Sequence, residues 1–345
     1  MSEQVTGQAR VSRGRLRPLK ILVRFQSLIG LIVVLLGGIA FSPRRHGTIL
    51  FLSPDNIANI IRSVSETGII ALGMTFVIIA AGIDLSVGAI LGLSSVLTAS
   101  LLVNHGWAIL PTILAVLIAG TVFGTAQGVI STRFRLQPFI VTLAGLQAAR
   151  GLALVASNNN YINIAYGSGP GLAPPAFGVL GARLFHNTLP VASLVFIVLA
   201  IIAALVLNTT RFGRYVYAVG GNERAARLSG IPVNGVKITV YALTGLASAI
   251  AGIVHAGQFS FGGPNDGAGY ELTAIAAVVI GGTDLFGGEG SMVGTIAGSI
   301  MLGALANILQ LNDVSAAMQL LATGAIIVAA AALQSFVGRR EGDGR

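Results

Sequence analysis

Residues 71–102 read ALGMTFVIIAAGIDLSVGAILGLSSVLTASLL, and Asp84 is the only charged side chain among them. A bilayer core about 30 Å thick needs roughly 20 apolar residues per crossing helix. The runs on either side of Asp84 therefore read as two spans, near 57–82 and 86–103, joined by a short glycine-containing turn. The first opens through the polar stretch DNIANIIRSVSETG (55–68), which leaves its start open. Further runs near 25–42, 108–131, 138–156, 188–207, 238–256, 270–283, 291–309 and 316–336 bring the expectation to about ten spans.

Composition agrees. The 345 residues are 54% hydrophobic and only 10% charged, against about 25% charged in soluble domains. The 46 glycines suit a bundle in which small residues let helices approach closely. The fold expected is an all-α polytopic membrane protein with one transmembrane domain over 25–336. A basic segment, 1–24, precedes it, a tail, 337–345, follows, and its longest inner loop is 208–237. The N-terminal stretch is too long and too cationic for a cleaved signal peptide, so the first run reads as a retained span.

The net charge of +9 does not point to nucleic acid, because the cations sit in short loops beside apolar runs and no basic surface with interleaved aromatics accompanies them. With the N-terminus inside, the inner segments hold Arg10, Arg13, Arg15, Arg17, Lys20, Arg24, Arg133, Arg135, Arg211, Arg214, Arg224, Arg227, Lys237, Arg339, Arg340 and Arg345. The outer segments hold Arg44, Arg45, Arg62 and Arg183, and Arg150 lies within a span. That asymmetry places both termini in the cytoplasm. The 270–283 run is too short to cross by itself, yet omitting it would put Arg339 and Arg340 outside. It reads as a broken span, or one extended through GGPNDGAGY (262–270). The absence of cysteine excludes disulfides, thiolate metal sites and thiol catalysis.

The inner loop carries helix punctuation. Asn222 suits an N-cap, Glu223 puts negative charge at the positive end of a helix and pairs i,i+4 with Arg227, Gly230 suits the left-handed residue beyond the end, and Pro232 forbids continuation. The helix so bounded is about two turns, too short to persist in water alone. The bland reading is a solvated loop helix. The sharper one is a docking knob built from Gly221, Asn222, Glu223, Arg224, Ala225, Ala226, Arg227, Leu228 and Gly230.

TRFGRYVYAVGGNERAARLSGIPVNGVKI (210–238) followed by GYELTAIAAVVIGGTDLFGGEGSMVGT (269–295) resembles the permease subunit of ribose-type bacterial ABC importers. GMTFVIIAAGIDLSVGAILGLSS (73–95) and PFIVTLAGLQAARGLALV (138–155) are similar to the same family. The similarity runs in order from about 55 to 336. It implies about ten spans in the bacterial cytoplasmic (inner) membrane, a second permease subunit (the same chain or a relative), two ATPase subunits on the cytoplasmic side and a soluble sugar-binding protein outside. It also implies that GNERAARLSGI (221–231) contacts the ATPase as a coupling helix. ATP and Mg are then expected on the partner, since a phosphate loop needs a lysine behind glycines and neither Lys20 nor Lys237 has that setting. The chain is expected to be no enzyme, and to bind no metal or cofactor itself.

Within the spans, Arg150 is a costly buried cation and a functional candidate. Glu66 and Glu271 lie at the same outer level as its expected partners. The reading divides between a fixed ion pair that orders helices and an outer gate or lining of the path. Asp84 and Ser86 read as caps of the helix that follows, or as path groups, and Asn158 joins the path candidates. Asp284-Leu285 echoes Asp84-Leu85, a candidate internal repeat. His46, His105, His186 and His255 read as solvated at outer span ends, with spacing that fits neither a metal site nor a triad. The outer loop 157–187 is expected to help dock the binding protein, against a flexible connector. Two other classes stand beside the ATP-driven importer: an ion-coupled secondary transporter and a passive channel. Neither has a use for the inner knob.

Overall fold

A computed structural model describes residues 26–45, 47–185, 188–325 and 328. The basic N-terminal segment, the C-terminal tail with Arg339, Arg340 and Arg345, and His46 and His186 lie outside them. The described helices are α1 (Gln26–Ala40), α2 (Pro54–Ile79), α3 (Val87–Ala99, prolonged by a π-helical turn Ser100–Asn104), α4 (Ile109–Arg133), α5 (Pro138–Ala156) and α6 (Val191–Thr209). They continue with α7 (Arg211–Gly221), α8 (Glu223–Leu228), α9 (Val233–Phe259), α10 (Tyr270–Ile280), α11 (Met292–Leu311) and α12 (Ala316–Ala325). A helix stands at each of the ten expected runs. Among the described residues, α2 to α6, α9 and α11 are long and apolar enough to cross a membrane, whereas α1, α10 and α12 are shorter.

Helix α2 starts earlier than its hydropathy suggests. The Ser53 hydroxyl accepts from the Asn56 N–H at 3.3 Å and Pro54 takes the first helical position, so the capping chemistry, not the apolar run, sets the boundary. Helices α2, α3 and α9 are mostly buried, and α4, α5 and α6 surround them with mostly exposed apolar faces. Leu110, Leu114, Ile118 and Val122 form one exposed i,i+4 stripe along α4, the face that a lipid tail would cover.

The close crossing of α4 and α9 is made by glycine. Gly120, Gly124 and Gly128 repeat at i,i+4 on α4 and meet Gly245, the Tyr241 carbonyl and Ile238 on α9. A Cβ added at Gly124 would overlap the Tyr241 carbonyl oxygen. Without a hydrophobic force between helices in lipid, such backbone approach is what holds them.

Helices α2 and α10 end alike. Gly82 N–H donates to Val77 and Ala81 N–H to Ile78; Thr283 N–H donates to Val278 and Gly282 N–H to Val279. Ala81 (φ 60°) and Gly282 (φ 89°) are the left-handed residues, so both ends are Schellman motifs. In each, an aspartate follows and accepts from a backbone N–H two residues on: Ser86 to Asp84 at 2.9 Å, Phe286 to Asp284 at 2.8 Å. The echo in sequence is an echo in local geometry.

The 263–269 segment before α10 is a series of turns and does not extend the helix. At about 1.5 Å per residue, the eleven residues of α10 fall well short of a bilayer, and the irregular backbone is largely buried in protein. Of the outer loop, Ile162–Asn163 pairs antiparallel with Phe261–Gly262. Ile164, Ala173 and Phe177 are buried, so this loop packs on the bundle rather than merely connecting its neighbours.

Candidate functional site

At one end of the bundle, α7 and α8 form the connection between α6 and α9. Thr210 caps α7 by accepting from Gly213 N–H at 3.1 Å, and Asn222 caps α8 by accepting from Ala225 N–H at 2.9 Å. The far end of α8 is a third Schellman motif: Ile231 N–H donates to Ala226, Gly230 N–H to Arg227, and Gly230 has φ 80°. Glu223 pairs with Arg227 at 3.0 Å, as its spacing predicts, and also with Lys237 of α9 at 2.6 Å. The Lys237 bond is the chief reason the Glu223 carboxyl titrates below its ordinary range. Thus α8 is stapled to the span that follows it. Ala226 faces inward, while Leu228 is 84% exposed at the tip.

The residues before α8 are locked more firmly, by backbone. Gly288 N–H donates to the Ile79 carbonyl at 2.8 Å, and the Tyr217 hydroxyl donates to the Gly290 carbonyl at 2.8 Å. A Cβ at Gly220 would overlap the Ile79 carbonyl and stand 2.6 Å from Gly288 N. One at Gly287 would stand 2.7 Å from the Ala81 Cβ. The ends of α2 and α7 and the loop between α10 and α11 therefore meet backbone to backbone at Ile79, Gly220 and Gly288.

Near the opposite end lies a buried ionisable network. Glu66 of α2 lies 2.9 Å from His255 Nδ1 of α9, accepts from Gln258 at 3.0 Å and from the Tyr270 hydroxyl at 3.4 Å. His255 Nε2 lies 3.2 Å from Asp266, whose carboxylate accepts from Ser95 at 2.9 Å and Gly263 N–H at 2.7 Å. Arg62 donates to the Gln258 side chain at 2.8 Å and to its carbonyl at 3.0 Å. Arg150 of α5 donates to the carbonyls of Pro264 and Asp266. Irregular backbone within the membrane leaves carbonyls and N–H groups to be satisfied; Arg150 serves the carbonyls of the 263–269 turns, and Asp266 serves an N–H.

Several expectations change. Glu66 is not the partner of Arg150; its bonds go to His255, Gln258 and Tyr270, whereas Glu271 and Asp266 supply the charges that act on Arg150. His255 is buried between two carboxylates, not solvated. Asp84 is fully buried but does not cap the N–H groups of α3. It holds Ser86, whose hydroxyl donates to it at 2.6 Å and accepts from Gln127 at 2.9 Å. Asn158 is exposed beyond the end of α5, with φ 50° and no link to the network. Asp266, Gln258 and Arg62 were missed as network members. The one signal for Asp266 was its place in GGPNDGAGY, where unwound backbone needs polar partners.

The family of permease components of branched-chain amino acid transport systems matches residues 56–331. The chain belongs to it. This permease is 40% identical to the ribose import permease protein of Haemophilus influenzae over 84% of its own length and 88% of the relative's. It is 43% identical to that of Bacillus subtilis over 82% and 85%. It is 34% identical to the xylose transport system permease protein of Escherichia coli over 84% and 87%. No solved structure matches it. The resemblance to ribose-type permeases read from the sequence is borne out, and with the apolar helices it makes the permease a multi-pass protein of the bacterial inner membrane.

Proposed function

We propose that the permease is the membrane subunit of an ATP-driven importer for a monosaccharide, pentoses first. The observation that carries this is the identity of 34–43% with proteins named for ribose and xylose import, over more than four-fifths of each chain. The family description names branched-chain amino acids, but these aligned relatives are named for sugars.

In this reading ten helices traverse the membrane, with both termini cytoplasmic. The α7–α8 end is the cytoplasmic one, which the basic residues Arg211, Arg214, Arg224, Arg227 and Lys237 support. A partner ATPase binds ATP and Mg and moves α8 as a rigid lever. The side-chain-free junction of Gly220, Gly288 and Ile79 transmits that displacement to α2 and to the loop before α11, so that the spans rock between outward and inward access. A second permease completes the path and a soluble binding protein delivers the sugar. Arg150 and Asp266 keep the broken segment before α10 rigid while its neighbours move.

The test is reconstitution of the permease with its ATPase and binding protein in liposomes. Uptake of labelled D-ribose or D-xylose should require ATP inside the compartment that holds the ATPase. Uptake by the permease alone, driven by an ion gradient and indifferent to ATP, would instead establish the secondary-transporter class.

A further inference from the structure

The described cavities differ in what lines them. One of about 140 Å³ between α2, α6 and α9 is wholly apolar in its side chains. One of about 520 Å³ beside α8 holds Arg135, Glu223, Arg227 and Lys237 and belongs to the coupling end. The third, of about 490 Å³, is bordered by α2, α11 and α12 and lined by Asn56, Asn59, Ser63, Asn307, Gln310 and Gln319, with no ionisable group on its walls. It lies along the first half of α2, whereas the Ile79 junction lies at the other end, 16 to 23 residues or about 24–35 Å of helix away.

Asn59, Ser63 and Gln310 are exposed along this cleft. Ser63 donates to the Ile60 carbonyl and Asn59 accepts from Arg183; the amide capacity left open is costly against hydrocarbon and is met by water or by other polar matter. The chemistry of the lining narrows what that matter is. Each amide offers both donors and an acceptor and none carries charge. That suits a neutral solute with many hydroxyls and gives an ion no counter-charge.

We propose that this amide-lined cleft receives a monosaccharide, or a comparable small neutral polyol, as it enters the permease; the proposal rests on the importer reading above. The volume lies within the roughly 300–1,000 Å³ of small-molecule sites. The walls are preset. Asn56 and Asn307 exchange two hydrogen bonds of 2.9 Å, Arg183 donates to Asn59 at 2.7 Å, and Gln319 donates to the Val314 carbonyl at 2.8 Å. With so much of the amide capacity already engaged, the sugar gains few new bonds and is held loosely, as a solute in transit must be. None of Arg150, Glu66, Glu271, Asp84, Ser86 and Asn158 lines the cleft.

The chain has no native cysteine, so single-cysteine variants report cleanly. Gln310→Cys is assembled with ATPase and binding protein in liposomes, and a bulky membrane-impermeant methanethiosulfonate reagent is added on the binding-protein side. D-ribose uptake should fall about tenfold, ATP hydrolysis stimulated by loaded binding protein should persist, and D-ribose at high millimolar concentration should slow the modification. Val155→Cys, exposed beyond the cleft, should be modified without effect. Unchanged uptake after full modification of Gln310→Cys overturns the proposal. So does parallel loss of stimulated ATP hydrolysis, which would mark a docking surface instead, or equal sensitivity of Val155→Cys. Ser63→Cys carries the same test should Gln310→Cys fail to assemble. An unmodified wild-type assembly that takes up neither D-ribose nor D-xylose overturns the importer reading itself, a result separate from all of these.

Discussion

Gly288 donates its backbone N–H to the carbonyl of Ile79 across 2.8 Å, joining the loop after α10 to the last turn of α2 although 209 positions separate them in the chain. Gly220 closes over the same pair from α7. No side chain stands between these backbone groups, so the proposed transmission through them would lose nothing to rotamer change.

Gly220→Val places two methyl groups where backbone already stands. Overpacking typically costs about 1–3 kcal/mol and occasionally more, so the yield of folded complex should fall, and in what assembles α7 is parted from α2. ATP hydrolysis by the assembled complex should persist while sugar uptake drops at least tenfold, measured side by side in liposomes. Retained uptake per ATP would refute transmission through this junction.

Glu223 has a carboxyl pKa lowered from the usual 4.5, chiefly by Lys237. Its contribution is present in full above pH 4.5, declines as the pH falls below that value, and is gone below the lowered folded pKa. Because the pair is partly exposed to solvent, the effect is small, about 0.5 kcal/mol or less. In Glu223→Gln the thermal midpoint should be slightly lower at pH 7 and should lose this part of its acid dependence, read by following unfolding from pH 7 to pH 3.

Arg150→Gln removes the donors that satisfy the Pro264 and Asp266 carbonyls. An unsatisfied buried polar group costs about 1–3 kcal/mol. A lower thermal midpoint in detergent is expected, with uptake per folded molecule near wild type. A variant of unchanged stability that transports poorly would show a gate in place of a structural strut.

Gly124→Leu drives a side chain into the Tyr241 carbonyl at the α4–α9 crossing. Yield of folded permease should collapse, whereas Val122→Leu, on the exposed face of the same helix, should express normally. Equal yields in size-exclusion profiles would contradict the close crossing.

Leu228→Asp changes a side chain that is 84% exposed, so folding should move by no more than about 0.5 kcal/mol. The isolated permease should melt as wild type does, yet co-purify with less ATPase. Undiminished co-purification would exclude the tip of α8 from that contact.

Much of this was legible beforehand because its causes are local. Hydropathy is a sum over neighbours in sequence, and it located a helix at every expected run. Asn222, Glu223 and Gly230 act on residues within a turn or two, so the ends of α8 followed from their spacing. Where the start of α2 departed from expectation, the reason was again local: Ser53 and Pro54 outweighed an apolar run that begins later.

The polar interior was not legible in the same way. Glu66 and His255 meet across 189 residues, and Arg150 reaches a carbonyl 114 positions away. Hydrogen-bond partners are chosen by distances near 3 Å, which no span boundary specifies. The amide cleft likewise draws one to three polar residues from each of three helices, none unusual in its own segment. By itself the sequence determined the membrane environment, the positions of the helices and the short capped helix α8, all consequences of near-neighbour chemistry. Tertiary structure alone decided which polar groups share a site, because that depends on how helices distant in the chain cross, and the crossings are set by glycine contacts between backbones.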